Sequence, residues 1–345
     1  MAPSSLSPSE APVVAPVDAL LKMGLGYMTS SALHAVVELR IADRLAEGPR
    51  SADQLALEAG ANADALYRVL RMLSGEGIFE EIAPRYFALT PLSQPLRTGS
   101  PARDLIHWIA DPFHFKVYSE ALHAVRTGQP AVEYVTGLPV FDHIGRTPEL
   151  SEVFNNAMTA FSAVVVPAVI EAYDFSGIDV LVDVAGGHGR VLTSVLNAYP
   201  KMRGVLFDLP YVVEGARPVI AELGLGHRCR AEAGDMFAGV PASGDAYIMK
   251  HIIHDWNDER ALAILGNIRQ AMHGRSGKVI LIESVIDDGN QEDLGKFIDY
   301  EMLQLTGGRE RTEEQFRALL AEAGFHLTRI VRTKSPLSVV EAEAV

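Results

Sequence analysis

One short segment, residues 180–192, constrains the fold more than any other part of the chain. Its sequence, VLVDVAGGHGRVL, is an apolar run that carries Asp183 and then bends through Gly186, Gly187 and Gly189 into a helical pattern. A glycine-rich turn between a strand and a helix brings bare backbone N–H groups close to a ligand at the N-terminus of that helix. The segment therefore predicts the first strand of an α/β domain and a binding loop at the carboxyl edge of its sheet.

Strand and helix patterns alternate from this point to the end of the chain. The predicted strands cover residues 180–184, 203–208, 228–234, 245–250 and 278–285. Residues 326–344 then predict a closing antiparallel hairpin. Alternation of this kind is typical of a mostly parallel sheet with helices on both faces. We predict a Rossmann-like α/β domain over residues 173–345.

The first third of the chain has the pattern of a winged helix. Ser51 and Gln54 predict a capping box, Gly60 ends a short helix, and Asn62 can cap the next helix. Residues 78–89 then alternate like a hairpin. We predict a winged-helix domain, all-helical apart from that hairpin.

The predicted organisation has four parts. A disordered tail rich in Pro, Ser and Ala precedes the winged helix, and a helical linker that includes an acceptor pocket joins the winged helix to the sheet. In chain order the four parts are residues 1–17, 18–100, 101–172 and 173–345.

A winged helix can bind DNA, but the charges of this chain argue against that use. The helix that would enter the major groove offers Arg68 and Arg71, and Asp64 would face the phosphates. The whole chain of 345 residues has a formal net charge of −14, whereas nucleic-acid binding depends on basic surfaces. We predict a protein–protein module and, because residues 19–46 are amphipathic, a homodimer built on it.

Composition also indicates the compartment. The single cysteine, Cys229, excludes a disulfide framework, and no Lys or Arg precedes Lys22, so the basic region of a signal peptide is missing. The longest apolar stretch, residues 161–173, is interrupted by Pro167 and Glu171 and is expected to be too short to span a bilayer. We expect a soluble cytoplasmic protein that binds no membrane.

Two classes of ligand compete for the glycine loop. A dinucleotide-binding fingerprint needs a third glycine at the position of Leu192. The residues present follow another pattern, an acid, a small residue and two glycines, at Asp183, Ala185, Gly187 and Gly189. That pattern resembles the nucleoside-binding loop of S-adenosylmethionine enzymes.

The next two predicted strands each end in an acid. Asp208 ends the strand in GVLFDLP and can accept hydrogen bonds from ribose hydroxyls, while Asp235 in GDMF can accept one from an adenine amino group. Met236 and Phe237 can pack on the adenine ring. Each acid alone could be a helix cap, but three in order on successive strands favour a nucleoside site.

The fourth predicted strand leads into MKHIIHDWND, and Asn257 or Asp258 starts the helix that follows. His254 therefore lies just past the strand, at the edge where open sheets place their chemistry, and its usual pKa suits a general base. A metal site at His251, His254 and Asp255 is an alternative, but the segment lacks established ligand spacing, so we expect no metal.

Taken together, DVAGGHG, LFDLP, GDMF, MKHIIHDWND and GGRERTEEQF resemble the S-adenosylmethionine-dependent small-molecule O-methyltransferase family. This family includes plant caffeate and flavonoid enzymes and bacterial natural-product enzymes. The resemblance begins near residue 18 and implies a class I methyltransferase domain with a seven-stranded sheet, a winged-helix dimerisation domain, and methyl transfer to a hydroxyl, phenolic by expectation, of a small aromatic metabolite.

The resemblance also implies roles for individual residues. His254 would be the catalytic base, and Glu283 and Glu310 the acids that flank and orient it. The acceptor would contact Phe154, Met158 and Asp255. The cofactor would contact Asp183, Ala185, Gly186, Gly187, Asp208, Leu209, Asp235, Met236, Phe237 and Lys250.

One residue departs from the family pattern. The family usually has glycine where this chain has Ala185, so we expect the turn to avoid a positive φ there. Two other functions stay open: the same fold can perform hydroxylation or decarboxylation-linked chemistry, and a winged helix can serve a ligand-responsive regulator that binds DNA.

Overall fold

The computed structural model describes residues 14–242 and 244–345, which form two compact units divided after Phe115. Most of the predicted tail lies outside the described residues. Its last residues, 14–17, belong to the first helix. Val14, Val17 and Leu20 begin an apolar helical pattern, which extends the helix beyond the predicted boundary.

The first unit is helical with a small sheet. Its helices are α1 (Val14–Gly24), α2 (Gly26–Glu38), α3 (Ile41–Arg44), α4 (Ala52–Ala59), α5 (Ala63–Gly75) and α6 (Pro101–Ile109). Its strands are β1 (Arg50–Ser51), β2 (Phe79–Ala83) and β3 (Tyr86–Leu89), which form an antiparallel sheet in the order β1-β3-β2. The predicted hairpin is confirmed, and β1 adds a third strand to it.

Local signals decide where these helices begin and end. Ser51 and Gln54 make the predicted capping box at α4, which ends at Gly60 with φ 66°, and the Asn62 side chain accepts a hydrogen bond from the backbone N–H of Ala65 to cap α5. The apolar faces of the helices then pack on the sheet around Phe87, which is fully buried. The result is the winged-helix layout that the sequence predicts.

The second unit begins with helices. The unit boundary falls inside α7 (Pro112–Tyr118). The helices that follow are α8 (Ala121–Thr127), α9 (Ala131–Thr136), α10 (Val140–Gly145) and α11 (Pro148–Ala172).

Helix α11 corrects an expectation about the apolar stretch. Pro167 does not interrupt it: the helix continues to Ala172, and Pro167 lies on its exposed side. Val165, Val166 and Val169, on the buried side, pack into the core under the sheet and stabilise the helix on both sides of the proline. By length and composition alone this 25-residue helix is long and apolar enough to cross a membrane, and the predicted apolar stretch forms its second half.

The rest of the second unit is the predicted α/β domain. Its helices are α12 (Arg190–Ala198), α13 (Pro210–Glu222), α14 (Asp258–Ala271), α15 (Leu294–Leu305) and α16 (Glu313–Glu322). Its strands are β4 (Val180–Val184), β5 (Arg203–Asp208), β6 (Cys229–Ala233), β7 (Ala246–Lys250), β8 (Lys278–Glu283), β9 (Phe325–Arg332) and β10 (Ser338–Ala344). All five predicted strands and the closing hairpin are confirmed within two residues.

The strand order places the candidate site. The sheet runs β6-β5-β4-β7-β8-β10-β9, with β10 antiparallel to both neighbours and the strands from β6 to β8 parallel. The chain moves outward from β4 to β6 and then returns to the other side of β4. Such a switch point opens a crevice at the carboxyl ends of β4 and β7. The glycine loop and His254 both follow these two strands.

The core on the sheet also contains the single thiol. Cys229 begins the edge strand β6 and packs with Leu206 and Ile220, with only 5% of its surface exposed. Burial raises the pKa of its thiol to about 11.

Candidate active site

Backbone N–H groups of the glycine loop donate hydrogen bonds to the neighbouring strand β5. The N–H of Ala185 donates to the carbonyl oxygen of Phe207 at 2.8 Å, and the N–H of Gly187 donates to Asp208 Oδ2 at 2.8 Å. Gly189 caps α12 with φ 79°. A methyl group on Gly186 would lie 2.5 Å from Asp183 Cγ, so the loop admits no side chain there.

Ala185 contradicts one expectation. Its φ is 55°, in the left-handed region that we expected the turn to avoid. The loop must turn sharply between its hydrogen bonds to β5 and the start of α12, and this requirement overrides the preference of an L-residue. A conformation of this kind costs about 1–2 kcal/mol for a residue with a Cβ atom.

Asp183 is a buried acid under the loop. It is 1% exposed, and Asp183 Oδ2 has no hydrogen-bond partner among the described residues. Burial raises the pKa of Asp183 to about 7, while a backbone hydrogen bond from Leu192 acts in the opposite direction. The carboxyl is therefore ready to ionise when a positive charge or further donors approach.

Asp208 and Leu209 lie at the end of β5 beside the loop. Asp208 Oδ1 accepts from the N–H of Leu209 at 2.7 Å, and burial raises the pKa of Asp208. Each carboxylate oxygen keeps acceptor capacity for a further donor, such as a hydroxyl. The Leu209 side chain beside it is partly exposed.

The segment after β6 offers an exposed acid beside apolar side chains. Asp235 is exposed, and its Oδ1 accepts from the N–H of Phe237. Met236 and Phe237 are held by Asn267, whose Nδ2 donates to both of their carbonyl oxygens. The Phe237 ring packs edge-on against Trp256. The three side chains predicted for adenine therefore lie on one short, well-anchored turn.

His254 is paired with Glu310. It lies in a 3₁₀-helix (Ile253–Asp255) after β7, it is 6% exposed, and its Nδ1 is 2.7 Å from Glu310 Oε1. Burial raises the pKa of Glu310 to about 8, and the nearby Asp299 acts in the same direction. A proton shared by this pair and located on Nδ1 leaves Nε2 as the nitrogen that can accept a proton.

Glu283 supports the same segment in a different way. Its Oε1 accepts from the backbone N–H groups of Ile252 and Ile253 at 3.1 and 2.9 Å. Glu283 Oε2 has no hydrogen-bond partner in the part of the chain that the structure describes. Burial raises the pKa of Glu283 to about 7. Of the two predicted acids, Glu310 contacts the imidazole, whereas Glu283 positions the backbone that carries it.

Lys250 and Asp255 complete the charged part of the crevice. Burial lowers the pKa of Lys250, while the charges of Glu283 and Asp183 act in the opposite direction. Asp255 Oδ1 is 3.6 Å from His254 Nε2, too far for a hydrogen bond. Burial raises the pKa of Asp255 to about 7.

His251 is a neighbour for which the sequence suggested only the role of a metal ligand. Its ring lies between those of Phe161 and His254, with centroid distances of 5.0 and 4.1 Å, and its φ is 52°. Burial lowers the pKa of His251 well below its ordinary value. One donor atom each from His251, His254 and Glu310 lie within 4.8 Å of one another. We expected no metal because the spacing of His251, His254 and Asp255 does not match known ligand sets. That argument did not consider Glu310, whose carboxylate lies close to both histidines.

The predicted acceptor residues lie on α11. Phe154 and Met158 are one turn apart on this helix and both are partly buried, and Phe154 packs edge-on against Phe141. Phe161, which continues the same face of the helix, contacts His251. This face therefore reaches the histidines after β7, and Phe161 was missed although it stands in helical spacing with Phe154 and Met158.

Arg311 is a second residue that was missed. It is 1% exposed, and its guanidinium donates to the carbonyl oxygens of Ile253 and Trp256 and pairs with Asp258 at 2.7 Å. It stands beside Glu310 in GRERT, a motif that drew attention only for its acid. The arginine fastens the segment on which His254 lies.

Comparison with known proteins decides the family. A family model described as an O-methyltransferase domain matches residues 118–326, and one described as an O-methyltransferase dimerisation domain matches residues 21–99. The chain belongs to the S-adenosylmethionine-dependent small-molecule O-methyltransferase family. This methyltransferase is therefore an S-adenosylmethionine-dependent enzyme with a dimerisation domain.

The relatives of this methyltransferase act in natural-product biosynthesis. A phenazine O-methyltransferase of Lysobacter antibioticus is 39% identical over 94% of this chain and 96% of its own length. A phenazine-1-carboxylate N-methyltransferase of Pseudomonas aeruginosa is 31% identical over 90% of this chain and 92% of its own.

A solved structure shows the same fold with ligands. An O-methyltransferase from neocarzinostatin biosynthesis, in complex with S-adenosylmethionine and 2-hydroxy-5-methyl naphthoic acid, is 31% identical. It aligns with a TM-score of 0.81 over 92% of this chain and 96% of its own. Relatives thus include enzymes that methylate oxygen and enzymes that methylate nitrogen.

Proposed function

We propose that this methyltransferase moves a methyl group from S-adenosylmethionine to a hydroxyl, phenolic in nature, of a small aromatic metabolite, with His254 as general base. The observation that carries the proposal is the buried hydrogen bond between His254 Nδ1 and Glu310 Oε1 at the edge of the sheet. It orients the imidazole so that Nε2 is the free base. The aromatic face of α11 and the aromatic acceptors named for relatives support the choice of substrate class.

The chain offers residues that fit the cofactor. The backbone of Ala185, Gly186 and Gly187 would approach it closely, and Asp208 and Leu209 would hold the ribose side. The orphaned, buried Asp183 Oδ2 and the raised pKa values of the acids nearby suit a ligand that brings positive charge. The adenine would contact Asp235, Met236 and Phe237, and Lys250 would lie at its edge.

The chemistry of the bound cofactor is an electrophilic methyl group on a sulfonium. The chain must then deprotonate the acceptor and align it. A phenol has a pKa near ~10 and an imidazole near ~6.5, so complete proton transfer before attack is unfavourable. His254 Nε2 instead removes the proton as the oxygen attacks, and Glu310 stabilises the imidazolium that forms. Holding both reactants in line supplies the larger part of the rate.

The acceptor side is proposed to be formed by Phe154, Met158 and Asp255. Phe161 and His251 add an apolar ring and a neutral imidazole next to His254. A flat aromatic acceptor would stack in this region and present its hydroxyl to Nε2. No metal is needed in this scheme, because His254 already removes the proton and Glu310 already neutralises the resulting charge.

We also propose that the protein is a cytoplasmic homodimer that binds neither nucleic acid nor membranes. The dimerisation domain and the exposed apolar side chains of Leu20, Leu21 and Met23 on α1 support the dimer. On α5, the Arg71 guanidinium packs over the ring of Tyr67. Arg85, between β2 and β3, pairs with Asp53 in the first turn of α4. These contacts engage two of the basic side chains in this region, Arg71 and Arg85.

The decisive experiment is a methylation assay with mass detection on hydroxylated and amino-substituted aromatics. With hydroxyl acceptors we expect products that are heavier by the mass of one methylene group, about 14 mass units. The His254→Ala variant should have a kcat lower by roughly 100-fold or more, with little change in cofactor affinity. Glu310→Gln should cost more activity than Glu283→Gln, since a glutamine at 283 can still accept from both backbone N–H groups. Near-full turnover by His254→Ala, or product formed only on amines, would contradict the proposal.

A further inference from the structure

A second cluster of histidine and acid lies in the first unit, away from the sheet. His34 and Glu38 are one turn apart on α2 and therefore share a face of the helix, and α6 brings His107 to the same place. One donor atom from each of the three side chains lies within 4.8 Å of the other two. The methyl-transfer scheme uses none of these residues.

The partners of these side chains leave acceptor capacity unused. His107 Nε2 contacts Glu38 Oε1, and the rings of His34 and His107 have their centroids 5.7 Å apart. His34 Nδ1 is buried and has no hydrogen-bond partner within residues 14–242 and 244–345. A buried ring nitrogen without a partner is uncommon, because its desolvation is not compensated.

Charge in this region favours a cation. The carboxylates of Asp111 and Glu38 both interact electrostatically with the His34 ring. Two carboxylates next to two imidazoles give a negative potential. The only other group of three such side chains found in the described residues is the one at His254.

We propose that His34, Glu38 and His107 bind a divalent transition-metal ion of the zinc type. Two imidazole nitrogens and one carboxylate oxygen are ligands that Zn²⁺ prefers, whereas Ca²⁺ and Mg²⁺ prefer oxygen alone. Ligands at about 2.0–2.2 Å from zinc in a tetrahedron lie roughly 3.4 Å apart, so the side chains need only small rotations to close on an ion. Water completes the coordination.

The structural consequence is a cross-link inside the first unit. The ion connects α2 to α6, which are separated by more than sixty residues of sequence, and it replaces the contact between His107 and Glu38. A metal that binds the folded state but not the unfolded chain raises the free energy of unfolding, and above its Kd the gain grows with the logarithm of the free metal concentration. The site is therefore expected to stabilise the first unit and to have no part in the chemistry of methyl transfer.

The test uses the untagged, full-length chain after treatment with EDTA and desalting. Zn²⁺ is titrated by calorimetry, and Co²⁺ is followed by visible absorption, which reports the coordination geometry. The variants are His34→Gln, Glu38→Gln and His107→Gln. The controls are His123→Gln, a histidine stacked on Tyr134, and His254→Gln, which removes the other candidate group.

We expect one ion per chain to bind tightly at the first unit and to raise Tm. Loss of a residue that only hydrogen-bonds a metal ligand weakens metal binding by up to roughly 100-fold. Each of the three variants removes a ligand itself and should weaken zinc binding by more than that, while both controls retain it. Circular dichroism and retained S-adenosylmethionine binding show that the variants are folded. Absence of zinc binding by the wild-type chain, binding that survives His107→Gln, or binding lost only in His254→Gln would overturn the proposal.

Discussion

Ala185 shows how a single residue can carry strain at a binding loop. Its Cβ atom is the reason that a φ of 55° is unfavourable, and glycine adopts the same angle without that cost. We expect Ala185→Gly to raise the free energy of unfolding by about 0.5–1 kcal/mol, because relief of strain exceeds the added entropy of the unfolded chain. Urea denaturation of the cofactor-free protein measures the change.

The loop offers matched controls for this prediction. Gly187 has φ 60°, and a Cβ atom added to it would meet no other group within 4 Å, so Gly187→Ala should lose about 1 kcal/mol through backbone strain alone. Gly186→Ala should lose more, since its methyl group would overlap Asp183 and Leu206. If Ala185→Gly is less stable than the wild type, the alanine methyl must make contacts that outweigh the strain.

At the scale of elements, the segment between β7 and α14 depends on one buried side chain. Arg311→Met would leave the carbonyl oxygens of Ile253 and Trp256 without these donors and would remove the 2.7 Å ion pair with Asp258. We expect a loss of about 3 kcal/mol in stability and a fall in kcat, because His254 lies on the released segment. Thermal unfolding and turnover on a hydroxylated aromatic acceptor measure the two effects.

A nearby arginine provides the control. Arg309 is half exposed and its Nη1 lies 3.9 Å from Asp258, so Arg309→Met should change stability by less than about 1 kcal/mol. Equal losses in the two variants would show that charge near Asp258, and not the hydrogen bonds to the two carbonyl oxygens, holds the segment.

The sequence predicted helices, strands and their ends better than it predicted side-chain contacts between distant segments. Alternating patterns indicated the five strands, and Asn257 was correctly named as a possible cap of α14, because these signals are local. The position of Arg311, and the approach of Glu310 to His254 that only the family resemblance implied, depend on how a distant loop folds back. The spacing of residues along the chain does not predict this tertiary arrangement. The positive φ of Ala185 was missed because tertiary hydrogen bonds override the local preference.

At the scale of the whole molecule, the buried acids link cofactor binding to pH. Burial raises the pKa values of Asp183, Asp255 and Glu283 to about 7 and of Glu310 to about 8, so the free protein takes up protons at these acids as pH falls through this range. A sulfonium favours the ionised carboxylates. We expect the affinity for S-adenosylmethionine to rise by roughly three- to tenfold between pH 6 and 8. Calorimetry in buffers of different ionisation enthalpy measures the affinity and the protons released.

The product serves as the control, since S-adenosylhomocysteine lacks the sulfonium charge and should show a weaker pH dependence. The same raised pKa values also make the free energy of unfolding of the cofactor-free protein depend on pH. Their stabilising contribution is complete below about pH 4, the usual pKa of a carboxyl, and is lost as pH rises toward 7–8. Cofactor affinity that is constant across this range would show that these acids do not sense the bound charge.

The assembly prediction also belongs to this scale. Leu20 and Leu21 on α1 are 69% and 59% exposed in the single chain, which is unfavourable unless a partner covers them. We expect the wild type to be a dimer by light scattering at micromolar concentration and Leu20→Asp to shift it toward monomer. Leu223→Asp, an exposed leucine of the second unit, should leave the dimer intact. A wild-type monomer would refute the prediction.

The position of Cys229 makes the protein simple to label. A thiol must be exposed and ionised to react with a maleimide, and Cys229 is 5% exposed with a pKa of about 11. The chain contains no other cysteine, so a cysteine introduced at an exposed position such as Tyr211 becomes the one reactive site at neutral pH. Fluorophores or spin labels can therefore be placed singly on this enzyme without first removing a native thiol, and distances between two labelled copies can be measured directly.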